Sequence, residues 1–304
     1  MALGGNVMFR AQFAKLFVDR LPFIDEILYE NFDAPSLSYP LVLNVRDSSR
    51  AYEEILGITG FGLFAEKSEG DTVDYDKVLQ GFSKRFTHIA YSKGAQISQE
   101  AAEDDIDGAI SDMMPPLSRS CRTSIEVTAW NVINNGFGTT LTPDGLSLFN
   151  NSHLLVGGGT YDNLVSGDLS IANLEVAVNM FDDMIDDRGL PIELSPTKIV
   201  FPTNLRWLVY EILKSDLRSD TANNAINTFN QISLTPVMSK YLTGDDDWFL
   251  CCEPSQHRVI LWWRREPSSD HTIDFDTGNM KTKMDYRMVA GAGDWRGWVG
   301  GQGA

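Results

Sequence analysis

The sequence predicts an α+β fold, with long helices and β segments around a helix-and-strand unit in the middle of the chain. Three observations carry that expectation. Apolar residues recur at helical spacing over 7–32 and again between 97 and 137. A helix, strand, helix succession follows at 170–215, and β-rich stretches fill most of the remainder. With 304 residues, 43% of them hydrophobic and 22% charged, the chain is long and apolar enough for a substantial core. No internal repeat or low-complexity tract interrupts it.

Taken in order, "VMFRAQFAKLFVDRLPFIDEILYENF" (7–32) places Phe9, Phe13, Leu16 and Phe17 on one helical face, and Ile24, Ile27 and Leu28 continue the stripe beyond a kink expected at Pro22. Arg10, Lys15 and Arg20 against Asp19 make this arm locally basic. The pattern suits a segment that packs on a neighbouring molecule and equally one that packs in its own core. "NFDAPSLSYP" then reads as an extended linker. Residues 56–98 read as a long hairpin. "ITGFGLF" and "KRFTHIAY" are its strands, Gly70 and Asp71 lie at its tip, and Gly57, Gly60 and Gly62 permit bending. A lone hairpin is marginal in water, so a long one must lie on something else.

Two helices are expected next. The first carries Ala102, Ile106, Ile110 and Met113 on one face and Glu100, Glu103, Asp104, Asp105, Asp107 and Asp112 on the rest, with no Lys or Arg between Lys93 and Arg119. Pro115-Pro116 is expected to break the helix, with Pro116 opening the next one. That second helix buries Leu117, Cys121, Ile125, Thr128, Ala129 and Val132 and stops at a left-handed Gly136. Residues 138–168 are turn-rich. A helix capped by Ser170 presents Ile171, Leu174, Val178, Phe181 and Ile185 and ends at Gly189. "TKIVFP" is a short buried strand and "TNLRWLVYEILKS" a helix. "QISLTPVMS", "DWFLCCEP" and "HRVILWWRR" are strands, and a glycine-broken β segment runs from 278 to 301.

The chemistry-bearing candidates are thin. Gly157–Gly159 lack the lysine of a phosphate loop and read as a turn. Asp182, Asp183, Asp186 and Asp187 are spaced by helical turns but have no histidine partner, and solvated surface is the reading preferred over a metal site. "GDDDW" reads as a polar hairpin loop. His88, His153, His257 and His271 lie far apart with no ligand spacing. No catalytic residue, cofactor or metal is expected. Cys121, Cys251 and Cys252 read as small buried residues of a reducing compartment. No stretch is long and apolar enough to span a membrane, and no secretion signal opens the chain. The net charge of 25 − 42 = −17 argues against a surface that wraps nucleic acid.

The order of the pieces resembles the major capsid protein of tailed bacteriophages, the Hong Kong 97 phage-type fold. "ISQEAAEDD" and "RTSIEVTAWNVINNGF" resemble the spine helix, the latter in its Mu-like and marine-phage form. "DGLSLFNNSHLLVGGGTYDNL" resembles the join between peripheral and axial domains. "NMFDDMIDDRGLPIELSPTKIVFPTNLRWLVYEIL" resembles the axial domain, and "DYRMVAGAGDWRGWVGG" the closing strands.

The resemblance implies an N-terminal arm at 1–48 and an extended loop at 49–96 that reaches over the next subunit. It implies a peripheral domain at 97–165, completed by return strands at 266–304, and an axial domain at 166–265. Either the whole 97–137 stretch or its second helix alone would be the spine. It also implies a protein that self-assembles into an icosahedral shell around double-stranded DNA, without specific binding to it. Intersubunit contacts are expected from Phe9, Arg10, Phe13, Lys15, Phe17, Arg20, Phe61, Phe64, Lys67, Asp71 and Phe86. The implied partners are copies of itself in hexamers and pentamers, a separate scaffolding protein, a portal at one vertex, and decoration proteins as optional additions. Lys67, Lys77 and Lys84 are not expected to crosslink subunits. The protein would reside in the virion after assembly in the host cytoplasm. The alternatives are an encapsulin-type compartment shell, a metal-dependent hydrolase built on the four aspartates at 182–187, and a small oligomeric binding protein.

Overall fold

Two compact units divide the chain in the computed structural model, which describes residues 10–33, 36–64, 66–70, 72–73, 75–215, 227–230 and 232–303. The side chains of 10–17, 102, 103, 105, 106, 109 and 230 lie outside that description. The first unit takes residues up to 37, 88–127 and 263–288; the second takes 38–87, 128–262 and 289 onward.

In the first unit, helix α1 (Arg10–Asp33) runs through Pro22. Its Ile24 and Leu28 are fully buried within this chain. Helix α2 (Gln99–Asn134) lies alongside, and the buried Ser118 hydroxyl donates to the Leu28 carbonyl at 2.6 Å. Arg122 donates to the Ser36 carbonyl at 3.2 Å, and Arg20 pairs with Asp107 at 3.1 Å. β4 (Ile89–Ile97) pairs antiparallel with β12 (Met280–Ala292), from Met280 opposite Ile97 to Met288 opposite Ile89. Tyr91 and Tyr286 stack across that pair at 5.0 Å. From β11 (Val259–Ile273), His271 meets Asp25 of α1 at 3.0 Å, while Ser269 donates to the same carboxylate at 2.6 Å.

The break expected at Pro115-Pro116 does not occur: α2 is continuous. Each proline removes one intrahelical donor, at the carbonyls of Ser111 and Asp112. Both of those residues are exposed, so water can replace the lost bonds, while buried Ile110, Met114, Leu117 and Ser118 hold the helix on its other face. The acidic face is exposed at Glu100, Asp104, Asp107 and Asp112. Leu117, Cys121, Ile125, Ala129 and Val132 are buried as expected, joined by Trp130 and Ile133.

The second unit is built on a five-stranded mixed sheet. Its order is β7 (Leu164–Ser166), β13 (Trp298–Gln302), β10 (Trp248–Cys251), β8 (Lys198–Pro202), β9 (Thr235–Ser239). β10 is antiparallel to both neighbours, and the two outer pairs are parallel. Helix α3 (Ile171–Asp182) packs on β13 and β7, and α4 (Arg206–Lys214) on β9. Ser170 caps α3 as expected, its hydroxyl accepting from the Asn173 amide at 3.2 Å. The core is aromatic: Phe137, Phe149 and Phe249 meet at 5.1–5.6 Å, and Trp298 packs on Phe149. The Phe149 and Trp248 rings lie against Gly300 and Gly301, where any Cβ would collide with them, so β13 needs its glycines for ring packing.

Other terminators work differently from the expectation. Helix α3 stops at Asp182, well before Gly189. Gly136 is not left-handed; it is required because a Cβ there would strike the Phe149 ring. The hairpin strands are β2 (Tyr52–Ile58) and β3 (Gln80–Thr87), not 58–64 and 84–91. "ITGFGLF" runs past the end of the ladder, and "KRFTHIAY" is divided at His88 between β3 and β4.

Candidate functional site

The surface that stands out lies on the loop carried by β2 and β3. The base of this hairpin faces inward. Phe86 is only 5% exposed and packs with Ile55, Val289, Ile260 and Trp262, the Trp262 ring lying 4.9 Å away. Lys84 donates to the Leu141 carbonyl and lies over the Phe86 ring at 5.0 Å, and Arg85 lies over Tyr52 at 3.3 Å. Past Ile58 the ladder ends in a side-chain closure. The buried Thr59 donates its amide to the Leu79 carbonyl at 3.0 Å and accepts from the Leu79 amide at 2.9 Å.

Beyond that closure the two limbs carry apolar side chains into solvent. Phe64 is 100% exposed, Tyr75 87%, Leu63 85% and Phe61 60%, and Val73, Val78 and Leu79 are exposed as well. Apolar side chains clustered in water mark a surface that is covered in the functional state. Gly70, at φ +90°, makes the turn at the tip, as expected.

The residues expected at assembly contacts separate into groups. Phe61, Phe64 and Lys67 are exposed on the loop. Phe86 is a core residue of the hairpin base, because its position in β3 points inward. Arg20 pairs with Asp107 of its own chain. Arg10, Phe13, Lys15 and Phe17 sit on α1 with side chains outside the description; Phe9 and Asp71 lie outside the described residues.

The candidate chemical groups have structural employment. Asp186 Oδ1 accepts from the amides of Arg188 and Leu190 at 2.7 and 2.8 Å. Asp187 pairs with Arg296 at 2.9 Å, and its carbonyl accepts from the Gly157 amide. Asp182 and Asp183 are exposed. Among the described residues no three His, Cys, Asp or Glu side chains form a metal-binding group. Gly158 and Gly159, at φ +96° and +97°, form the turn between β5 (His153–Leu154) and β6 (Thr160–Tyr161). Asp245 of the "GDDDW" stretch accepts from Asn204. The three cysteines are buried, and burial pushes the Cys121 thiol up to about 11 and Cys252 to about 12. Among the described residues no helix is long and apolar enough to cross a membrane.

Two arrangements are not announced by the sequence. His153 is fully buried between Asp144, 2.7 Å from Nδ1, and the Leu148 carbonyl, 3.3 Å from Nε2. Its ring stacks on Trp295 at 4.8 Å, with Tyr161 also stacked on Trp295. Burial works against the charge of Asp144, yet hydrogen bonds from His153 and Thr142 hold its carboxyl below the ordinary range. With Nε2 facing a carbonyl, this pair has no nucleophile to serve. The second feature is Arg188, which reaches the extended loop. It donates from Nε to the Gly60 carbonyl at 3.2 Å, and from Nη2 to the Lys77 carbonyl and to Asp76 at 3.3 Å. The local sequence "DDRG" signals a turn, but not what its arginine grips.

Comparison with known proteins supplies the context. The family model described as phage capsid protein matches residues 83–300, well over half of the chain. No curated protein sequence matches. Among solved structures, the capsid of an empty GTA particle superposes with a TM-score of 0.57 at 11% identity, over 88% of this chain and 89% of the other. The capsid of Cyanophage P-SCSP1u gives 0.56 at 11% identity, over 86% of each chain. The capsid of bacteriophage JBD30 decorated with minor capsid protein trimers gives 0.53 at 15% identity, over 69% of this chain and 93% of the other. At these identities the likeness is one of fold. It agrees with the element order described above, and the family match agrees with a surface made to be covered: the chain belongs to the phage capsid protein family and has the Hong Kong 97-type fold of tailed-phage major capsid proteins.

Proposed function

We propose that this capsid protein closes an icosahedral head from hexamers and pentamers of itself around double-stranded DNA. The observation that carries the proposal is the solvent-facing apolar loop beyond Thr59, on a chain of this family and fold. Such a loop finds its cover on a neighbouring copy, and in a closed shell each subunit has several neighbours over which modest contacts accumulate. Residues 1–48 serve as the N-terminal arm and 49–96 as the extended loop. Residues 97–165 with 266–304 form the peripheral domain, and 166–265 the axial domain.

The net charge of −17 keeps the inner wall from adhering to packaged DNA, since like charges repel. The work of the protein is geometric, with no catalytic turnover. A separate scaffolding protein, a portal at one vertex and assembly in the host cytoplasm belong to the same proposal. Negative-stain microscopy of the expressed chain, alone and with its scaffold, tests it. Closed shells on the order of hundreds of ångströms across are expected; a chain that stays monomeric under both conditions refutes the proposal.

A further inference from the structure

Arg188 and the extended loop form an arrangement that assembly alone does not require. The loop limbs leave the β2–β3 ladder at Thr59 and Leu79 and would be free to swing from there. Instead they are tied twice more. The Gly62 amide donates to Asp76 Oδ2 at 2.9 Å, which joins the limbs directly. The Arg188 guanidinium then spans both, with Nε on the Gly60 carbonyl of one limb and Nη2 on the Lys77 carbonyl and Asp76 of the other.

The arm that presents Arg188 is rigid. Ile185 bridges Pro191, Asp186 accepts from the Arg188 and Leu190 amides, and Gly189 takes φ +79° at the turn. Asp187, the residue before the arginine, is anchored in the opposite sense by Arg296 and the Gly157 amide. The hydrogen bond from Gly62, followed by those from Lys77 and Arg188, holds the Asp76 carboxyl below its ordinary range, so the anionic partner persists into mild acid.

We propose that Arg188 is a positioning residue that latches the extended loop at its root and presets the direction in which the apolar tip is presented. An exposed ion pair alone holds little. The guanidinium matters because its planar fork serves two carbonyls on different limbs at once, which an ammonium on a flexible stem does not do. Because Thr59 and Leu79 already hold the limbs together, closing them at Gly60 and Lys77 adds little loop-closure entropy, and a few hydrogen bonds suffice to fix the pose. The latch is a property of the single subunit; only its consequence for shells rests on the function proposed above.

The test compares wild type with Arg188→Lys and Arg188→Ala as full-length subunits, by hydrogen exchange over 59–79, urea unfolding and shell yield. Both variants should unfold at nearly the wild-type urea midpoint, exchange about tenfold faster across the loop, and give fewer shells. If Arg188→Ala fails to fold, Arg188→Lys keeps the charge and still removes the fork. Unchanged exchange in the folded variants overturns the latch. Faster exchange with normal shell yield overturns its role in presentation. A wild-type chain that never forms shells overturns the proposed function instead, whatever the exchange shows.

Discussion

Lowering the pH from 7 to 5 should destabilise the folded subunit through one residue, His257. Its ring is 2% exposed. Nε2 lies 3.0 Å from the Val42 carbonyl and must donate; Nδ1 lies 3.2 Å from the Val259 amide and must accept. Only the neutral ring with its proton on Nε2 satisfies both, and a second proton would set N–H against N–H in a site closed to water. Burial is the main cause that depresses the pKa from the ordinary 6.5 to about 4, with the charge of Lys198 acting in the same direction and the Val42 hydrogen bond opposing.

The folded value lies below the unfolded one, so the unfolded chain binds the proton more tightly. The stabilisation is therefore complete above the unfolded pKa and is lost as pH falls toward the folded one. The whole loss is about 3 kcal/mol, and roughly 2 kcal/mol of it falls between pH 7 and pH 5. His257→Gln keeps a donor for Val42 and removes the titration. Urea unfolding of both proteins at pH 7, 6 and 5 isolates the residue, because carboxylates such as Asp144 contribute equally to each. The wild type should lose about 2 kcal/mol more than the variant over that range. Parallel pH profiles would refute the argument.

Replacing 61–75 with a short Gly-Ser turn should leave the subunit folded, as judged by its urea midpoint, and abolish shells in electron micrographs; normal shells would show that the apolar tip is dispensable. Trp130→Ala removes a ring that is 1% exposed and whose Nε1 donates to Ser38 at 3.0 Å, and should cost about 3–5 kcal/mol in urea unfolding. A cost below about 1 kcal/mol would mean that the site collapses around the loss. Pro116→Ala restores a donor to the Asp112 carbonyl and should raise stability by roughly 2 kcal/mol, net of the greater freedom of the unfolded chain. A fall in melting temperature would mean that the proline shape itself is needed.

Local physics made much of the fold legible. The stripe at Leu117, Cys121, Ile125 and Val132, the Ser170 cap, and "TKIVFP" as a strand buried on both faces are patterns that short-range rules read directly. The expectations that failed did so where tertiary context outweighed a local rule. Pro115-Pro116 reads as a break on propensity alone, but the burial of Met114 and Ser118 carries the helix through. The β-rich residues of "ITGFGLF" suggest a strand, yet pairing is decided by which residues find partners, and the inward side chains of Ile55 and Phe86 fix the register earlier in the chain. At the candidate site, the exposed phenylalanines were visible as composition. Arg188 was not, because its partners at Gly60, Asp76 and Lys77 are more than a hundred positions away, and two of the contacts are to backbone carbonyls that no side-chain pattern announces.

The two prolines in the middle of α2 have a mechanical meaning. Where backbone donors are missing on the solvent side, fewer hydrogen bonds resist bending, so α2 is expected to flex most easily between 111 and 116. In the shell proposed above, chemically identical chains in five-fold and six-fold rings would meet unequal angles. A weak spot at a set position would let one sequence absorb that mismatch within a single helix.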